Sequence, residues 1–344
     1  MAGAPLLRLA LRLPLRTLPR SLAGPAAMGN RPSSSGAAAA GAGAPAFARA
    51  GKIGDTQMLD ISFLSRNPKV TILGKCEFMN PTGSIKDRMV EYVIGKAKAK
   101  GEIKDGDTIV AATSGNTGAS VGMVAAMLGH PYIVITNAKC SQEKRDIMGA
   151  YGGEVRVGPS GVPASSPEHY QNLAIALCAE NEGYYDLDQY GNQLNPETYY
   201  HTLGPEIWRD TAGRVTHFVA GGSTGGTVSG TGRYLKEQNP AVHVHMPDPY
   251  GSVVYDFHVN QVPEDQLQTG SYQCEGVGKD SITPVSTCSA APGGNAPRPG
   301  TDTKKSACTS TWWTACRRWT TSPASRRAAR SPRRRGCSSG AAPA

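Results

Sequence analysis

Acidic residues are missing from the first 50 positions of this 344-residue chain, which hold six arginines and no lysine. At the other end, no Leu, Ile, Met, Phe or Tyr follows Ile282, and nine arginines and two lysines face the single acid Asp302. The whole chain carries +9, so charges of +6 and +10 at the two ends leave residues 51–280 at −7. The basic balance therefore belongs to the ends. The acidic middle does not interleave aromatics with basic clusters, which excludes the usual nucleic-acid footprint and predicts no nucleic-acid partner. No apolar run reaches the roughly 18 residues that span a bilayer, so no membrane partner is expected either. CxxC pairs and HExxH are absent, and the eight cysteines are scattered. That usage reads as a reducing compartment without a metal centre. His243 and His245 alternate along a strand-like stretch, and with no third ligand placed nearby they read as two residues on one strand face.

What is present at the start is Arg8, Arg12, Arg16 and Arg20, four apart with leucines between them. On a helix that spacing makes a basic stripe beside an apolar face. The arginines interrupt the leucines too often for a secretory signal, whereas an acid-free Arg, Ser and Ala composition suits an organellar transit peptide for mitochondrion or plastid. Pro14 and Pro19 break a continuous helix, and an inert leader on a cytoplasmic protein is the competing reading. Residues 1–50 are thus expected to be transit peptide and low-complexity linker.

Residues 283–344 bury too little apolar surface to offset their ordering entropy and are expected to be a disordered basic tail. A basic interaction tail is one reading of them. The genetic code supplies another. Trp is encoded only by TGG and Thr begins AC, so Trp313-Thr314 and Trp319-Thr320, read two bases later, both give Asp, and Trp312-Trp313 gives Val. On this reading the tail is an out-of-frame translation, and resequencing the transcript around codons 281–290 tests it.

Between the ends, short β-branched stretches alternate with helical patterns. KVTILGKCEF, TIVAAT, YIVITN, EVRV, VTHFVAG and VHVHM read as strands, and SIKDRMVEYVIGKAKAKG as a helix. Alternation of this kind predicts an α/β fold with parallel sheets covered on both faces, where ligands gather at the carboxyl ends of strands. Three loops stand at such ends. Asn80-Pro81-Thr82-Gly83-Ser84-Ile85-Lys86 delivers a lysine at a helix start, where burial and the helix dipole disfavour the ammonium and suit Schiff-base chemistry. Thr113-Ser114-Gly115-Asn116-Thr117-Gly118 joins a strand to an apolar helix beginning near Ala119 and offers hydroxyls and N–H groups to a carboxylate. Gly221-Gly222-Ser223-Thr224-Gly225-Gly226-Thr227 opens a further helix with backbone N–H groups able to wrap a phosphate. No Lys follows its glycines, so it is not a Walker loop. Each loop alone is also explained as a surface lysine or a structural turn.

Together, NPTGSIKDR, TSGNTG and STGGT, in this order and spacing, resemble the cysteine synthase and cystathionine β-synthase branch of the β-family of pyridoxal-phosphate enzymes. The likeness runs from Ile53 to Gly278. It implies two parallel-sheet subdomains of fold type II within a catalytic domain over 51–282. The smaller, mobile subdomain would lie at about 90–190, and the domain's C-terminal end would be truncated. It further implies that Lys86 binds pyridoxal 5'-phosphate and moves the substrate α-proton, and that Asn116 contacts the cofactor's phenolic oxygen. Thr113, Ser114 and Thr117 would hold the substrate carboxylate, Ser223, Thr224, Gly225, Gly226 and Thr227 the phosphate, and Gln189 and Tyr190 would border the substrate. The implied reaction is β-replacement on serine or an activated serine by a thiol or sulfide, in cysteine biosynthesis. Lys75-Cys76-Glu77-Phe78 and Glu275-Gly276-Val277-Gly278 incline it to the cystathionine β-synthase side, cysteine synthase being the alternative. A catalytically inactive homologue kept as a binding partner is a further reading. The family suggests a homodimer. No Cys or His precedes Cys76, so the haem site of animal homologues is not expected, and neither are their C-terminal regulatory modules. The family's serine partner for the pyridine nitrogen would fall beyond residue 282, and Ser338-Ser339-Gly340 is not given that role.

Overall fold

The computed structural model describes residues 52–272, 274 and 276–287, and the backbone of 315–319. The expected transit peptide, the linker, Glu275 and most of the basic tail lie outside these residues. Met58–Asp60 (β1) and Leu73–Lys75 (β2) pair antiparallel. The long strand expected over KVTILGKCEF is thus cut to three residues, because β1 is a three-residue partner and Glu77–Met79 turns into a 3-10 helix.

The chain then builds a four-stranded parallel sheet from Thr108–Ala112 (β3), Tyr132–Asn137 (β4), Glu154–Gly158 (β5) and Tyr184–Asp186 (β6), in the order β5-β4-β3-β6. His217–Val219 (β7), His243–Pro249 (β8) and Ala315–Trp319 (β9) form a second parallel sheet with β8 at its centre. Two pieces of the expected disordered tail are ordered here: Pro284–Thr287 is a short helix, and β9 hydrogen-bonds to β8. A strand edge recruits a neighbour through backbone groups, which requires no apolar side chain. His217 stands opposite His243 in the β7–β8 register, and their rings stack with that of His245. No described residues form a group of three suited to hold a metal.

The connecting helices are Lys86–Ala99 (α1), Asn116–Leu128 (α2), Gln142–Gly149 (α3), Tyr170–Glu180 (α4), Leu194–His201 (α5), Leu203–Asp210 (α6) and Gly226–Gln238 (α7). Successive side chains of a strand point to opposite faces. Ile109 and Ala111 of β3 accordingly join the core formed with α1, α2 and α5, through Val90, Ile94, Val121, Val124 and Tyr199. Val110, Ile133 and Ile135 pack the other way, against Ala174 and Leu177 of α4. Both faces being covered, the strands read as continuous apolar runs. No described helix is long and apolar enough to cross a membrane.

Candidate active site

Lys86 is the first residue of α1, and the two residues after it fix it in place. Asp87 is fully buried and accepts hydrogen bonds from the Thr82 N–H at 2.8 Å, from the Thr82 hydroxyl, and from Ser120 Oγ at 2.6 Å. Ser120 also donates to the Asn116 carbonyl at 3.1 Å, one turn back on α2. Asp87 thereby ties the lysine loop to the helix that begins in TSGNTG. Arg88, 2% exposed, forks into Glu77 and Glu206, with its Nε 2.7 Å from Glu77 Oε2 and its Nη1 2.7 Å from Glu206 Oε1. Glu77 in turn accepts from Asn80 Nδ2 at 3.0 Å, and Asn80 Oδ1 accepts the Gly54 N–H at 2.8 Å. Between these anchors Lys86 is partly buried, and its ammonium has no partner among the described residues. Loss of hydration lowers its pKa from the usual lysine value.

The second loop starts its helix three residues earlier than the apolar pattern suggests, at Asn116. Asn116 is exposed at the rim and Ser114 is partly buried, while Thr113 and Thr117 are buried. Thr113 Oγ1 accepts from the Gly115 N–H, shaping the turn. The Thr117 hydroxyl donates to Gln189 Oε1 at 2.8 Å, and Gln189 Nε2 donates to the Ala112 carbonyl at 3.0 Å. Gln189 is thus hydrogen-bonded to the TSGNTG loop.

The third loop delivers Gly225 as the residue before α7, with φ +89, a left-handed conformation that favours glycine. A side chain on Gly226 would run into Asn195, so a longer residue would close this loop. The α7 N-terminus has no cap from Gly225 and no acid in its first turn; the Gly226 N–H donates to Thr224 Oγ1 at 3.4 Å, and the positive dipole end favours an anion. Ser223 and Thr227 are partly buried and Thr224 is buried.

Asn195 and Thr283 complete the arrangement. Asn195 Nδ2 donates to the Gln189 carbonyl at 2.7 Å and to Thr224 Oγ1 at 3.2 Å, joining the second and third loops. Thr283 Oγ1 donates to the Thr224 carbonyl at 3.2 Å, and the Val285 N–H donates to the Tyr190 carbonyl at 3.2 Å. Neither residue was marked by the sequence, because each acts through tertiary bonds that leave no local pattern.

An unpartnered, partly dehydrated lysine and a glycine-walled helix start are together the donor set that an aldehyde-bearing phosphate cofactor requires, and the residues present fit pyridoxal 5'-phosphate. The geometry thus defines a lysine-dependent α/β enzyme of the cofactor-binding kind. Residues 49–291 match the family model described as pyridoxal-phosphate dependent enzyme, and the chain belongs to that family. It is 37% identical over 235 residues to a cystathionine beta-synthase of Apis mellifera, covering 68% of this chain and 46% of that protein. Cysteine synthase B of Pseudomonas aeruginosa is 42% identical over 192 residues, covering 56% of this chain and 63% of the relative. Among solved structures, the O-acetylserine dependent cystathionine beta-synthase from Helicobacter pylori matches at 34% identity with a TM-score of 0.60, covering 68% of this chain and 72% of that one. The chain spans less than half the length of the animal cystathionine beta-synthases it matches.

Proposed function

We propose that the chain carries out β-replacement on L-serine or an activated serine, with homocysteine as the acceptor thiol. The observation that carries the reading is Lys86: partly buried, unpartnered, and linked through Asp87 and Ser120 to the loop that would hold the substrate carboxylate. Bound pyridoxal phosphate supplies the electron sink for carbanion chemistry. The protein supplies the rest. The α7 N-terminus with Ser223, Thr224, Gly225, Gly226 and Thr227 holds the phosphate. Thr113, Ser114 and Thr117 orient the carboxylate at the α2 N-terminus, with Gln189 bracing Thr117, and Asn116 faces the cofactor's phenolic oxygen. Lys86 Nζ, its charge disfavoured by dehydration, takes the proton from the substrate Cα and returns it after the acceptor has added.

The similarity to cysteine synthase B favours a second reading, in which sulfide is the acceptor. The deciding experiment reconstitutes the purified protein with the cofactor, records its visible absorbance before and after L-serine, and then compares cystathionine with cysteine formation. A cofactor band that shifts with L-serine and disappears in Lys86→Ala supports the assignment. A band unaffected by that substitution would overturn it. The Arg- and Leu-rich start supports organellar import as a further part of the proposal, which a fusion of residues 1–50 to a fluorescent protein tests.

A further inference from the structure

Tyr190 follows Gln189, whose side chain is bonded to Thr117 of the proposed carboxylate loop. Over that ring lies the ammonium of Lys279, 4.4 Å from the centroid, on a side chain only 12% exposed. The backbone holds Lys279 there: its N–H donates to Ser252 Oγ at 3.0 Å and its carbonyl accepts from the Val253 N–H at 3.0 Å. Two residues before it, Val277 lies against Gly221 at the start of the proposed phosphate loop. Lys279 therefore sits between the residues assigned to substrate and those assigned to cofactor.

The surroundings of Lys279 are those of an anion subsite. The phenols of Tyr170 and Tyr190 interact at the start of α4, a helix with no side-chain cap and no acid in its first turn. His169, within electrostatic reach of both Lys279 and Asp280, has a buried ring Nδ1 with no hydrogen-bond partner. An orphaned buried polar atom beside a cation calls for a partner. Asp280 approaches Lys279 at 3.4 Å but is itself 69% exposed, so water and salt screen this pair and another carboxylate can displace it.

We propose that Lys279, with the His169–Tyr170 start of α4, binds the carboxylate of the second substrate and so selects a carboxylate-bearing thiol over bare sulfide. The inference rests on the β-replacement reading and adds the residue that sets acceptor class. The α2 N-terminus takes one carboxylate and Lys279 the other, so each amino-acid substrate has its own positive site.

The test uses the holoenzyme with Lys279→Met, which keeps an apolar stem of similar length, and Lys279→Arg, which keeps the charge. One charge-assisted hydrogen bond corresponds to about a tenfold change. Lys279→Met is expected to lower kcat/KM for homocysteine about tenfold relative to that for sulfide, and Lys279→Arg to restore most of the ratio. A calorimetric titration with mercaptoacetate, with mercaptoethanol as the uncharged control, is expected to show a similar loss of affinity for mercaptoacetate alone. An unmoved ratio, or equal mercaptoacetate affinity in native protein and Lys279→Met, would overturn the proposal. Failure of every thiol to turn over would instead sink the β-replacement reading, and the titration would then decide the role of Lys279 by itself.

Discussion

Arg88, two positions after the candidate cofactor lysine, holds two carboxylates that are largely buried with it. Burial alone would raise Glu206, but the hydrogen bond and charge of Arg88, with the Asp55 N–H and Lys75, outweigh it and hold its pKa at about 2. Because the folded value lies below the ordinary 4.5, the associated stability is present above about pH 4.5 and is lost as pH falls towards 2. Arg88→Met leaves Glu77 without its cation and Glu206 with only Lys75, 3.0 Å away, and is expected to cost about 3 kcal/mol in urea unfolding near neutral pH. The variant should also show a weaker acid dependence than the native protein, with the Asp55 N–H and Lys75 still acting on Glu206. Glu91 behaves in the opposite sense: burial, then the charge of Asp87, raise it to about 7 despite Arg88. A raised acid favours folding while protonated, so its contribution declines as pH rises from about 4.5 through 7. Glu91→Gln is expected to stabilise the protein at pH 8 by about 1–2 kcal/mol, allowing for partial solvent screening. An unchanged urea midpoint would refute that. Lys86 was readable from its loop motif, whereas the ionic frame around it was not, since Glu77, Arg88 and Glu206 come from three separate segments.

At the scale of elements, the α7 start gives the sharpest expectation. Gly225→Ala forces a left-handed conformation on a residue with a Cβ, a strain of about 1 kcal/mol, and Gly226→Ala drives its methyl into Asn195. Both variants should weaken pyridoxal phosphate binding by at least about tenfold with a smaller change in melting temperature; equal affinity for the cofactor would count against the phosphate assignment. The three glycine-bearing loops were legible because a backbone that approaches a ligand or turns left-handed restricts residue choice locally. Helix boundaries were less so. The apolar run pointed to Ala119, but α2 begins at Asn116, where polar Asn and Thr serve as first-turn residues. The strand β6 and the links made by Asn195 and Thr283 leave no periodic trace, because pairing with distant segments decides them.

For the whole molecule, a groove of about 570 Å³ runs between β1–β2 and the β7 edge, lined by Met58, Val70, Leu73, Ile207, Phe218 and Val219. Leu59, Phe63 and Leu64, at 56%, 81% and 65% exposure, add apolar surface nearby in the chain. We propose that this face contributes to a homodimer. Size-exclusion chromatography with light scattering is expected to give twice the chain mass, and Phe63→Glu to shift the protein towards monomer. A monodisperse native monomer would exclude the dimer. The parallel sheet was predictable from strand and helix alternation, but the strand order was not. β3 takes β6 as a neighbour, with Thr108 opposite Tyr184, so the intervening β4, β5 and their helices must be in place or looped out before that edge closes. The loops read as contacting the substrate and cofactor, 113–117 and 189–190, follow the carboxyl ends of these two parallel strands, at the same edge of the sheet. Refolding followed by hydrogen exchange should therefore protect β3 and β4 before β6, and ligand-binding competence should return only with the slow phase.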